Sequence, residues 1–559
     1  MKKLLLLTLA ISFSAIATLA AGPSIASPGV YNSASYALAA FPNGGIAQGS
    51  IFVVFGSGLG PATIAYNSSL PYQTSLSQTS VRVTVSGTSV DCLMFYTSAG
   101  QIAAILPSNT PVGTGTITVS YNGATSATAP ITVVKNALGL FTRNQQGKGP
   151  AVIQDSTSAY NSFTNSFQPG ETVTFWGTGL GPITGSDATA PSSGNLPGTT
   201  VTANIGGQNA VVQYAGRSGY AGEDQINVTI PSGVTGCYVP VYITVNGVPS
   251  NFISMSITSS GSVCSDANLY TSTDLQNVAN GGTLRTGGVT LEEFGLTISI
   301  LGFSILEEED NGAGTFFKYD ANTFLESQGG LSALAISSGC SVSTFSGSSY
   351  VDPVAPTGLD AGAVINVTGP NGTKQLTKNS LGQYSAEFVA PSANPLAPPP
   401  TKFLTPGTYT VDNGAGGADV GAFKATVTVP NPITWSNKAT VNTVPRNQPL
   451  TITWTGGAAT GQVDVIGTSP LAVDTTTQNP IGGASFICVA PASAGTLTVP
   501  AAILSALPPS ANISESGFTV GGGFIIVNST SATRATVPGL DVFLTGASSG
   551  DGKIGVTFQ

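Results

Sequence analysis

The residues with chemistry to offer are few: five cysteines, two acidic runs, three tryptophans and no histidine at all. Without imidazole, Ser-His-Asp and Cys-His catalysis, histidine-ligated zinc and most proton shuttling near neutral pH are excluded. Two facing carboxylates alone suffice for glycoside hydrolysis. The carboxylates that could serve are Glu307-Glu308-Glu309-Asp310, Glu292-Glu293, and Glu223-Asp224 beside Arg217. No spacing among them names a facing pair, so a non-enzymatic chain is expected.

Each group has a structural reading beside the chemical one. Glu307, Glu308, Glu309 and Asp310 precede the turn signal Asn311-Gly312 and read as a charged hairpin tip. Their oxygens are also a candidate Ca²⁺ site, although the D-x-D-x-D-G spacing of a calcium loop is absent. No other cofactor is expected. Arg217, Glu223 and Asp224 read as a solvated loop. Trp176, Trp435 and Trp454, with the tyrosines, could stack on sugars. They read instead as core, because alternate positions on each strand must be filled.

Five cysteines in an exported chain predict pairing with one thiol left over. Cys237 opens the predicted strand 238–245 and Cys264 lies just past the strand 252–257, so a Cys237–Cys264 bridge would fasten the departing chain. Cys264–Cys340 is the rival pairing. Cys340 and Cys488 lie in different predicted modules, and Cys92, among alternating strand residues, is expected as a buried free thiol.

The elements that position these groups come from a repeat. Val54-Phe55-Gly56-Ser57-Gly58-Leu59-Gly60-Pro61 returns as Phe175-Trp176-Gly177-Thr178-Gly179-Leu180-Gly181-Pro182. Gln101-Ile102, Pro107 and Asn122-Gly123 return as Gln225-Ile226, Pro231 and Asn246-Gly247 at a constant offset of 124. Two copies of one domain follow. Val81, Val83 and Val85, then Ile117, Val119 and Tyr121, alternate with polar residues, the period of half-buried strands. Asn-Gly supplies tight hairpin turns. The fold class expected is all-β: tandem immunoglobulin-like β-sandwiches. The Gly-rich segment is not a dinucleotide loop, since Pro61 follows and no helix pattern comes after it. Its glycines suit a bulge or sharp loop.

Tyr31-Asn32-Ser33-Ala34-Ser35, Gly45 to Ser50, the Gly-Leu-Gly-Pro loop, Leu70-Pro71, Gly100-Gln101-Ile102, Pro107 and Gly139-Leu140-Phe141 together resemble a secreted acidobacterial domain. This is the Solibacter-type C-terminal domain, similar to the IPT/TIG branch of immunoglobulin-like folds. The resemblance covers roughly 28–258. It implies that fold and an exported location, and brings no catalytic residues to transfer. The copies differ between Tyr214 and Gln225, a stretch six residues longer than Tyr96 to Gln101.

Met1-Lys2-Lys3 and the apolar run Leu4 to Leu19 have the layout of a secretory signal, giving 1–21 as leader. Domain one is read over 28–135, domain two over 136–258, a small β-rich connecting module over 259–350, a third sandwich over 351–430 and a last β-domain over 431–559. A short helical turn is expected at Ala501 to Leu507. Charged residues make up only 8% of the chain and the net charge is −9, with no basic cluster to attract nucleic acid. No membrane span is expected in the mature chain. These features point to an exported, secreted or cell-surface protein in adhesion or structural binding. Its partner is expected to be an extracellular protein or polysaccharide. The alternative is a secreted carbohydrate-binding or carbohydrate-active protein with the sandwiches as accessory modules.

Overall fold

The computed structural model describes residues 22–266, 269–300, 303–320, 338–346, 356–380, 382–389, 401–474, 480–515 and 518–559. The expected leader, 1–21, lies outside the described residues. The regular secondary structure of the described chain is almost all strand; Ser272–Ala279 and Ala501–Ser505 are its α-helices among the described residues.

In the first repeat one sheet orders Ser24–Asn32, Ile51–Ser57, Gln101–Ile105, Leu93–Thr97 and Ala65–Tyr66. The facing sheet runs Ile46–Ala47, Ala129–Val134, Gly113–Tyr121, Thr79–Val85 and Thr88–Asp91. Val81, Val83, Ile117 and Val119 meet Phe52, Val54, Ile102 and Ala104 in one core. Period-two alternation turns one side of these strands toward the core, and two such sides make a sandwich. The Asn122-Gly123 hairpin takes φ of 50° and 82°, and Asn246-Gly247 takes 51° and 84°. Positive φ at both positions matches the strands' twist.

The second repeat keeps the central pairings, but its edge is made of two short strands, Gly139–Leu140 and Ile153–Gln154, and its crossing strand is continuous. The first repeat interrupts its crossing strand at Cys92, whereas Gln208–Arg217 runs unbroken between sheets. Its first half pairs with Val201–Ile205 and its second half with Asp224–Thr229. Arg217 stands at the end of this longer strand.

Beyond the repeats, a fourteen-stranded sheet links the remaining segments. Leu284–Ile300 and Phe303–Tyr319 form its central hairpin. The first pairs in parallel with Val542–Gly555, and the second antiparallel with Tyr384–Val389. Strand pairing therefore joins residues of 259–350, 351–430 and 431–559. Phe316, Tyr384, Tyr409, Phe423 and Phe543 fill one core here. Trp435, Trp454, Phe486 and Phe558 fill another, with Ile503 and Leu504 of the short helix and with Phe41, Tyr242 and Phe252 reaching in from the repeats.

The acidic run is not a hairpin tip. Glu307, Glu308, Glu309 and Asp310 lie inside a strand, opposite Leu296, Gly295, Phe294 and Glu293. Asn311-Gly312 stays extended because of packing: a Cβ on Gly312 would lie 2.6 Å from atoms of Leu376 and Phe388. A strand glycine can mark close approach as well as a turn.

Candidate binding face and the junction that positions it

The Gly-rich loop of the second repeat lies where the repeats meet. Gly179 and Gly181 adopt φ of 111° and 134°. The chain linking the repeats passes against them: a Cβ on Gly181 would lie 2.6 Å from Asn136 Nδ2, and one on Gly179 would collide with the Ala137 carbonyl. Bare backbone is needed for that approach. Asn32 Nδ2 donates to the Ala137 and Thr178 carbonyls, both at 3.1 Å. Thr178 Oγ1 accepts from the Ile51 amide at 2.8 Å and donates to the Gly222 carbonyl at 2.6 Å.

Arg217 and Asp224 complete the joint as an ion pair, their side chains 2% and 0% exposed. Arg217 Nη2 donates to the Gly49 carbonyl of the first repeat at 2.9 Å and the Gly181 carbonyl of the second at 2.8 Å. Asp224 Oδ2 accepts from the Leu180 amide at 2.7 Å. Burial raises the Asp224 carboxyl, against the pull of Arg217 and that amide. The solvated-loop expectation is corrected for Arg217 and Asp224. The extra length of this segment carries the arginine into contact with the other repeat. Asp187 adds a second tie, accepting from Ser108 N at 2.7 Å and Ser108 Oγ at 2.8 Å.

The joint uses one repeat's outer sheet face and leaves the other's open. In the first repeat the outward residues Ile51, Val53, Ala103 and Ile105 are apolar and pack with Ala221 of the second, while Ala188 and Phe55 flank them. The corresponding strands of the second repeat present Thr172, Thr174 and Trp176, and Gln225, Asn227 and Thr229. Trp176 is half-buried, with Nε1 donating to Gln154 Oε1 at 2.8 Å. Trp435 and Trp454 are core residues, 2% and 3% exposed. The core reading thus holds for those two and fails for Trp176. Comparing outward positions between the copies, Ile-x-Val-x-Phe against Thr-x-Thr-x-Trp, was the signal that distinguishes it.

The other predicted groups fall elsewhere. Glu308 pairs with Lys402 at 2.9 Å, and Lys402 also pairs with Glu293 across the hairpin. Asp310, fully buried, accepts from the Leu404 amide at 2.7 Å. Burial raises its carboxyl, with Glu293 adding to the effect. Burial likewise raises Glu309, followed by the charge of Glu387. Strand alternation puts Glu307 and Glu309 on the face opposite Glu308 and Asp310, so the four cannot converge on one ion. Among the described residues no three Asp, Glu, Cys or His side chains are grouped to hold a metal.

Cys237 is bonded to Cys264, and Cys340 to Cys488 on the adjacent strand in direct register. Cys92 is buried and free, and burial pushes its thiol far up. Among the described residues no helix is long and apolar enough to cross a membrane.

The fold and junction define a multi-domain all-β protein with immunoglobulin-like β-sandwiches. No family model matches the chain, and no curated protein matches it. Domains 5–6 of the S-layer protein SbsC share 14% identity over 43% of this chain and 99% of theirs, with a TM-score of 0.17. The plexin A4 extracellular region shares 12% over 72% of this chain and 30% of its own, at 0.15. The Bacteroides ovatus glucan-utilization protein SGBP-B, solved with a mixed-linkage heptasaccharide, shares 13% over 80% of this chain and 87% of its own, at 0.13. At these scores none of them bears on function.

Proposed function

We propose that the chain is an exported, non-enzymatic structural or adhesive binding protein, of the acidobacterial secreted type that its first two domains resemble. The observation that carries this reading is the joint between the repeats. A buried arginine-aspartate pair reaches 168 residues along the chain to the Gly49 carbonyl, which fixes one sandwich against the next. Such a joint suits a protein that presents surfaces in a set orientation, with recognition placed on faces and loops. Two disulfides suit an oxidising compartment. One observation favours the carbohydrate-binding alternative: the half-buried Trp176 on the outer side of its sheet, among hydroxyl and amide side chains. Fractionation of producing cells tests the proposal. Recovery of the chain in the surface or culture fraction with both disulfides oxidised is expected. Recovery in the cytosol with reduced thiols, or release of reducing ends from polysaccharides by the purified chain, overturns it.

A further inference from the structure

We infer that the outer sheet face of the second repeat binds a neutral polysaccharide, with Trp176 as its stacking ring; this names a ligand for the carbohydrate reading above and rests on it. Val173 and Phe175 point into the core, so Thr172, Thr174 and Trp176 point out; Ile226 and Val228 do the same for Gln225, Asn227 and Thr229. Register lines Tyr160, Gln154, Thr174, Asn227 and Tyr214 into one row across neighbouring strands. At a strand spacing of ~4.8 Å that row spans about 19 Å, long enough for several sugar rings. Trp176 stands opposite Gln225 in the next row.

The chemistry of these side chains selects the ligand. Gln225 Nε2 and Thr174 Oγ1 both donate to Asn227 Oδ1, at 3.0 and 3.1 Å, and Gln154 fixes the indole. Amides and hydroxyls donate and accept, as sugar hydroxyls require, and a held indole offers an apolar face to a pyranose ring. None of the residues in these two rows is charged, so nothing here compensates an acidic or basic ligand. The fold does not demand Thr172, Thr174, Trp176, Asn227 or Thr229, because the first repeat fills the corresponding positions with Ile51, Val53, Phe55, Ala103 and Ile105, although it keeps Gln101 and Tyr96 where the second has Gln225 and Tyr214. In that repeat the face makes the joint. In the second, freed from the joint, it is open to a ligand.

Affinity electrophoresis of the full chain through gels holding xyloglucan, galactomannan or dextran, with alginate as the acidic control, tests the inference. Retardation by at least one neutral polymer and none by alginate is expected. Trp176→Ala should weaken that retardation by roughly tenfold or more at unchanged Tm. If that variant fails to fold, Gln225→Ala with Asn227→Ala should weaken it instead. Wild-type tryptophan emission should shift on binding, because Trp435 and Trp454 are buried. No retardation by any neutral polymer, retardation by alginate alone, or retardation indifferent to these substitutions overturns the inference. So does a protein partner whose capture depends on Trp176 in the absence of any polysaccharide retardation. Should the inference fail while the chain is still found at the surface with oxidised disulfides, the structural and adhesive reading stands.

Discussion

Arg217 of the second repeat donates a hydrogen bond to the backbone carbonyl of Gly49 in the first, at 2.9 Å, from a side chain only 2% exposed. Gly49 sits at φ 73°, and any Cβ there would run into the Arg217 guanidinium. One glycine and one arginine thus specify each other across a domain boundary.

Removing Arg217 would leave the buried Asp224 carboxyl without its ion-pair partner. Breaking a buried pair from one side costs about 3–5 kcal/mol, whereas neutralising both sides costs much less. Arg217→Ala should therefore lower stability by that amount. Arg217→Met with Asp224→Asn should recover at least half, since an asparagine oxygen can still accept from the Leu180 amide. Urea melts of the three proteins check this; equal losses in the single and double variants would contradict it.

The two disulfides close loops of very different length, 148 residues for Cys340–Cys488 and 27 for Cys237–Cys264. In the chain-entropy description these correspond to about 5 and about 3.5 kcal/mol. Replacing both cysteines of a bridge by alanine should cost more for the longer loop, read as the drop in urea midpoint. Cys92 should resist alkylation until the chain unfolds, because it is fully buried and its thiolate is disfavoured.

Strand alternation and the Asn122-Gly123 and Asn246-Gly247 turns were legible because each is set by local sequence, and the repeat because its landmarks recur at one offset, whereas packing overrode the same Asn-Gly signal at Asn311-Gly312. The joint was not. Arg217 and Asp224 look like part of any polar loop until the carbonyl of Gly49 is known to face the arginine, and nothing local reports that. Trp176 departs from the core expectation because indole on an alternating strand says only that one face is filled, not which. The parallel partner of Leu284–Ile300 lies more than 200 residues away, Arg285 and Asp541 being separated by 256. Parallel pairing at such range leaves no turn signal to read.

Calcium should not stabilise this chain through the acidic run. Lys402 already bridges Glu293 and Glu308, while Glu307 and Glu309 face away. A ligand that binds the native state raises Tm as its concentration rises. Tm in millimolar Ca²⁺ should match Tm in chelator, and a concentration-dependent increase would return Glu307–Asp310 to candidacy as a metal site.

Asp310 supplies a pH dependence whose sign can be worked out. Its carboxyl is fully buried, its Oδ1 has no hydrogen-bond partner, and Glu293 stands directly opposite with Glu308 and Lys402 nearby. Burial raises its folded pKa from the ordinary carboxyl value, against the hydrogen bond from the Leu404 amide. A carboxyl with a raised folded pKa is protonated in both states at low pH and gives up its proton more readily when unfolded. Stability from this group is therefore present below the unfolded value, about 3.9, and is lost as pH climbs from there through the raised folded value. Asp310→Asn mimics the protonated form and cannot titrate, while its oxygen can still accept from the Leu404 amide. The variant should match wild type at low pH and become progressively more stable than wild type as pH rises through that window, then hold a constant advantage. Calorimetric Tm measured for both proteins across the acidic range checks this. A difference that shrinks with rising pH would mean that Lys402 holds Asp310 ionised, with its pKa lowered rather than raised.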